Sequence, residues 1–85
     1  MEFEWDPRKA AANLVKHKVS FEEAATVFGD PLGRIVADPR HSTVEKRLVL
    51  LGISRERHLL AVMYVERAEA IRIVSAQPPT RPERL

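Results

Sequence analysis

The spacing of apolar residues changes once along this chain, between Phe28 and Arg34, and that change limits the folds open to it. Before it, "DPRKAAANLVKHK" and "VSFEEAATVF" repeat at the 3.6-residue period of helices. After it, "RIVAD", "RLVLLGI", "HLLAVMYVER" and "AIRIVSA" are apolar or β-branched runs of strand length. The links "PRHSTVEK", "SRER" and "RAE" are polar and short, which implies antiparallel neighbours rather than crossovers. A short strand, Phe3–Trp5, precedes the helices. The pattern predicts an α+β fold: a short N-terminal strand, two helices, then a four-stranded antiparallel meander.

The helix ends carry local signals. Asp6 is placed as N-cap, with Pro7 at the first helical position, where its missing N–H is no loss. Ala10, Ala11 and Leu14 give the first helix its apolar stripe, and Lys16, His17 and Lys18 gather at its C-terminal end, where the helix dipole favours cations. Ser20 and Glu23 have the spacing of a capping box, and Phe21, Ala24, Ala25 and Phe28 follow at i, i+3, i+4 and i+7. Trp5 is expected in the core. Thr80 and Glu83 have the spacing to open a last helical turn.

Residues 1–85 are read as a single domain. A chain of 85 residues buries only about 60% of its unfolded surface, so its margin of stability is thin unless a partner adds to it. Without cysteine, neither disulfides nor thiolate metal sites can contribute. His17, His41 and His58 share no metal-ligand spacing, and Gly29, Gly33 and Gly52 form no phosphate loop, so neither a metal nor a cofactor is expected. Ser42, Ser54 and Ser75 lie in no nucleophile elbow. No apolar run is long enough to span a membrane, and "MEFEWDP" does not read as a signal peptide, so the cytoplasm is the expected location.

The remaining chemistry lies in the cations. Net charge is only +2, but ten of the 14 Lys and Arg residues are arginine, whose planar fork suits phosphate. Alternation along the fourth strand puts Leu60, Val62, Tyr64 and Glu66 on one face and Leu59, Ala61, Met63, Val65 and Arg67 on the other. On the last strand, Ile71, Ile73 and Ser75 are expected opposite Arg72, Val74 and Ala76. Arginines with a tyrosine and a glutamate supply the parts for RNA cleavage without a metal: acid–base groups, cations for the phosphorane and a ring for an unstacked base. The same arginines also fit strand-edge charges that prevent aggregation. His17 fits either a dipole-stabilising end residue or an acid–base group, and Tyr64 either packing or a base platform.

In order, "FEWDPRKAAANLVKHKVSFEEAATVFGDP", "DPRHSTVEKRLVLLG" and "ERAEAIRIVSA" resemble the BrnT family of bacterial toxins, collinearly from Phe3 to Ala76. The resemblance implies a RelE-like fold and a metal-independent ribonuclease toxin of a type II toxin–antitoxin system, which inhibits translation by cutting RNA. It implies a BrnA-like antitoxin as partner, operator DNA reached only through that antitoxin, and a homodimer or 2:2 complex. By motif position it points to His17, Glu45, Arg47, Glu66, Arg67 and Arg72. With Lys46 and Tyr64 from the strand reading, the expected catalytic set is His17, Glu66, Arg67 and Arg72, and the expected RNA-binding set is Glu45, Lys46, Arg47 and Tyr64. Either Glu66 or His17 is the acid–base group.

The chain departs from the family pattern at Lys18, where members usually carry glycine, and at Gln77, Pro78 and Pro79, where an arginine, a lysine and an alanine usually follow the strand. Those departures imply a second reading: a weakened or silent homologue that serves as an antitoxin-binding module in operon repression. A free-standing nucleic-acid binder is a third, disfavoured by the modest net charge.

Overall fold

The computed structural model describes residues 1–37 and 46–79. The elements follow in the order β1 (Glu2–Glu4), α1 (Pro7–His17), α2 (Phe21–Thr26), a 3-10 turn (Val27–Gly29), β2 (Arg34–Ala37), β3 (Leu48–Ile53), β4 (Leu59–Arg67) and β5 (Ala70–Gln77). All five strands form one sheet in the order β1-β5-β4-β3-β2. The meander β2 to β5 is antiparallel throughout, as its short links require, while β1 pairs parallel to β5. The architecture is α+β, with the helices on one face of the sheet.

Asp6 caps α1 as expected, accepting from the Arg8 N–H at 2.8 Å. Lys18 closes the helix in the left-handed region (φ 62), its N–H donating to the Leu14 carbonyl at 2.9 Å. Ser20 Oγ accepts from the Glu23 N–H at 3.0 Å, which is half of the expected capping box. The Glu23 carboxylate leaves the helix end for the β3–β4 turn, so the reciprocal half of the box is not made. The last helical turn expected at Thr80 and Glu83 lies outside the described residues.

The expected stripe on α1 needs correction. Leu14 is 49% exposed and Ala11 is exposed, while Asn13 is the buried residue of the helix. The backbone of β5 selects Asn13. β1 covers the β5 edge only from Ala70 to Arg72, and beyond that the Asn13 amide donates to the Ala76 carbonyl (2.8 Å) and accepts from its N–H (3.1 Å). Its other N–H reaches the Val19 carbonyl at 2.9 Å.

Phe21 and Ala24 are fully buried and, with Val27, seat α2 on Leu50, Leu60, Val62, Tyr64 and Ile73 of the sheet. Three aromatic contacts link β1 and the Trp5 that follows it to this core: Trp5 edge-on to Phe21 (5.8 Å), Phe3 of β1 tilted on Phe28 (5.2 Å) and Phe28 in turn edge-on to Tyr64 (5.0 Å). Gly52 permits close approach here, because a Cβ on it would lie 2.9 Å from Val27 Cγ1.

A bulge alters the expected faces of β5. Met63 pairs with Ser75 but Tyr64 pairs with Ile73, so Val74 is an extra residue and the alternation slips by one. Ala76 therefore joins Ile71 and Ile73 in the core, and Ser75 falls on the Arg72 face, the reverse of the strict alternation read from sequence.

Candidate functional site

Strand register sorts the expected site residues into two groups. Glu66 and Arg67 end β4 and pair with Ile71 and Ala70, while Arg72 pairs with Val65 on one side and Glu4 on the other. Arg67 and Arg72 thus occupy the sheet face turned away from the helices as diagonal neighbours, roughly 7–8 Å apart at Cα. Glu66 points to the opposite face. Arg47 is half-buried just before β3, whose Leu48 pairs with Tyr64, and Lys46 beside it is exposed. Glu45 lies outside the described residues.

His17 and Tyr64 stand apart from that group. Tyr64 is 2% exposed, in the core beneath Phe28. Burial, and to a lesser degree the Glu66 charge, hold its hydroxyl above the usual tyrosine range. His17 ends α1 and shares a cavity with Leu59, Leu60 and Pro78, at the start of β4 and just past β5. Pro78 lies six positions beyond Arg72, roughly 20 Å along an extended strand. The structure does not bring His17 and Arg72 together: they lie towards opposite ends of β5.

A residue that sequence reasoning missed completes the Arg72 group. The Arg72 guanidinium Nη1 donates to Glu4 Oε2 at 3.0 Å, with the two side chains 34% and 41% exposed. Asp6 lies close by. Its carboxyl is held below the ordinary aspartate range chiefly by the Arg8 N–H, with the Arg8 charge and, more weakly, the Arg72 charge adding to this against some desolvation. Glu2 and Glu4 alternate with Phe3 and Trp5, so the sequence does show one acidic and one aromatic face for β1. The parallel pairing with β5, which brings Glu4 to Arg72, has no local signal.

The chemistry available on this face follows from its parts. A carboxylate in contact with a guanidinium places a proton acceptor beside a donor fork that fits two phosphate oxygens. A second guanidinium lies on the diagonal, and partial exposure leaves room for a polymer to approach. A concavity of about 600 Å³ lies elsewhere, against Phe3, Phe28, Asp30 and Arg55. It holds none of the expected site residues.

A second polar cluster was also missed, at the other end of the sheet. Glu23 Oε2 accepts from Ser54 Oγ at 2.7 Å and contacts His58 Nδ1 at 2.6 Å. Burial opposes ionisation of Glu23, but the hydrogen bonds from Ser54 and His58, with the His58 charge, outweigh it and hold the carboxyl below the ordinary glutamate range. Both the serine and the imidazole converge on one carboxylate oxygen, so the arrangement is a clasp between α2 and the β3–β4 turn and not a nucleophile–base–acid relay.

Comparison with known proteins accords with this fold. A family model described as "Ribonuclease toxin, BrnT, of type II toxin-antitoxin system" matches residues 5–83. The 1.1 Å crystal structure of the Brucella abortus ribonuclease toxin BrnT superposes with a TM-score of 0.72, covering 95% of this chain and 99% of that one at 19% identity. No curated protein matches the sequence.

Proposed function

The chain belongs to the BrnT family of ribonuclease toxins of type II toxin–antitoxin systems, and from that premise we propose that it cleaves RNA without a metal ion at the Arg72 face. In the cell this cleavage would inhibit translation until a BrnA-like antitoxin covers the face, in a 2:2 complex that reaches operator DNA through the antitoxin. The observation that carries the reading is the 3.0 Å contact between Arg72 and Glu4 on a half-exposed sheet face.

The reaction needs few parts. Glu4 takes the proton of the ribose 2′-hydroxyl as that oxygen bonds to phosphorus. The P–O5′ bond breaks, leaving a 2′,3′-cyclic phosphate and a 5′-hydroxyl that takes its proton from water. Arg72 meets the added charge on the non-bridging oxygens and Arg67 the charge on the departing oxygen, each a fixed cation in place before the reaction. Arg47 flanks the face and extends it along the strand of RNA, with Lys46 adding an exposed charge. Glu4 is the better base than Glu66, because Glu66 points to the other face.

The same contact favours a second reading. In the free protein Arg72 is already neutralised by Glu4, which suits a silent homologue that retains only antitoxin binding.

The deciding experiment is cleavage of an end-labelled single-stranded RNA by the purified chain in EDTA, with Arg72→Ala and Glu4→Gln alongside. Cleavage by the wild type, slowed about 100-fold or more in Arg72→Ala, is the expected result. Cleavage only on adding a divalent ion would refute the metal-free mechanism. An inert wild type that is folded would favour the silent module.

A further inference from the structure

At the end of β4 remote from Arg67, a cavity of about 490 Å³ is lined by His17, Lys18, Arg57 and His58, with Leu60 and Pro78 among its apolar walls. The four nitrogen-bearing side chains come from the end of α1 and from the β3–β4 turn, two segments far apart in sequence. Two of them occupy unusual backbone. Lys18 (φ 62) and Arg57 (φ 69) are both in the left-handed region, which disfavours any residue with a Cβ and suits glycine. At both positions the chain instead carries a long cation, and both cations line the same cavity. Strained backbone of this kind concentrates where function requires the side chain.

The cations are also free to bind. Neither the Lys18 nor the Arg57 side chain makes a hydrogen bond or ion pair among the described residues. The carboxylate that reaches this cluster, Glu23, is occupied by Ser54 Oγ and by His58 Nδ1. That contact fixes the imidazole and leaves Nε2 for another partner.

We propose that this cavity binds the phosphate group of a nucleotide, with the sugar or base lying against Leu60 and Pro78. Two cations and two imidazoles offer more donors than the two oxygens of a carboxylate can use, whereas a phosphate has enough acceptors for them. The cavity is also larger than a bare phosphate needs, and its remaining wall is apolar. The phosphate comes either from the backbone of single-stranded RNA or from a free nucleotide. The proposal is independent of cleavage at Arg72, and its test reads binding alone.

Three probes are titrated into the 15N-labelled full chain: a 2′-O-methyl RNA hexamer, which lacks the attacking hydroxyl and cannot be cut, adenosine 5′-monophosphate, and inorganic phosphate. The expected result is saturable shifts of the Lys18, Val19, Arg57 and His58 amides. Shifts by the hexamer alone assign the RNA backbone, and shifts by the mononucleotide as well assign a nucleotide site. The double variant Lys18→Gly/Arg57→Gly removes both cations at positions where glycine fits the backbone, so it is expected to fold and to bind at least tenfold more weakly. Unchanged affinity in that folded variant, or shifts confined to other residues, would overturn the proposal. So would inorganic phosphate binding as tightly as the mononucleotide, since the apolar wall would then contribute nothing.

Discussion

Asn13 pairs with Ala76 as a strand would: its side-chain amide donates to the Ala76 carbonyl at 2.8 Å and accepts from the Ala76 N–H at 3.1 Å. One side chain of α1 thus continues the work of β1, which stops pairing at Arg72. The amide is 6% exposed, so water is a poor substitute.

Asn13→Leu is therefore expected to destabilise the protein by about 2–4 kcal/mol, from buried backbone groups left unpaired. Asn13→Asp, which faces a carboxylate to two carbonyls, is expected to be at least as harmful at neutral pH. Urea midpoints with an unchanged m-value would measure both. A loss below about 0.5 kcal/mol for Asn13→Leu would mean that the edge needs no partner.

The clasp at Glu23 makes stability sensitive to acid. Its carboxyl is held below the ordinary glutamate value of 4.5 in the folded chain, so the folded state binds fewer protons than the unfolded one. Its contribution is complete above that value and is lost as pH falls through it and on through the lower folded value. Asp30, held low by the N–H groups of Ile53 and Leu32, has the same sign. Glu23→Gln is expected to cost about 1–2 kcal/mol at pH 7 and to flatten the fall in stability between about pH 5 and 3. An identical acid limb in the variant would count against the clasp.

Gly52→Ala probes the seat of the 3-10 turn on the sheet. Its new Cβ would lie 2.9 Å from Val27 Cγ1 and 3.1 Å from Asp30 Oδ2, and Val27 is fully buried with little room to yield. A loss of about 1–3 kcal/mol is expected from calorimetry, the usual range for overpacking. A neutral result would show that the turn can lift away.

Arg72 separates folding from activity. Its pairing with Glu4 is a half-exposed ion pair, of a kind that contributes no more than about 1 kcal/mol. Arg72→Ala is accordingly expected to keep its melting temperature within a few degrees while RNA cleavage falls. If the variant instead melts early in proportion to its lost activity, Arg72 is structural.

Lys18→Gly is expected to raise stability by about 0.5–1 kcal/mol, because the left-handed helix end no longer strains a Cβ. The melting temperature would then rise by roughly 2–8 °C in a chain of this size. A fall would mean that the lysine holds the helix end in another way.

Much of this was legible locally. The caps at Asp6 and Ser20, the buried Phe21 and Ala24, and the four-stranded meander depend on neighbours within a few residues or on short links, and each appears as expected. The site was less legible. Arg72 could be singled out as a candidate because a cation inside an apolar strand is conspicuous. Glu4 and His58 could not, since each matters only through a residue dozens of positions away.

By itself, the sequence determined the class of fold and the order of its elements, because hydrophobic period, capping and turn chemistry act over a few residues. Tertiary structure decided which side chains meet. The bulge at Val74 reversed the end of β5, since a period of two turns a one-residue slip into a change of face. The parallel pairing of β1 brought Glu4 to Arg72 across 68 positions. The direction of α1 carried His17 to the far end of the sheet, where it lines a cavity with Arg57 and His58, away from Arg67 and Arg72. Long-range pairing depends on the whole core closing at once, and no short stretch of sequence encodes it.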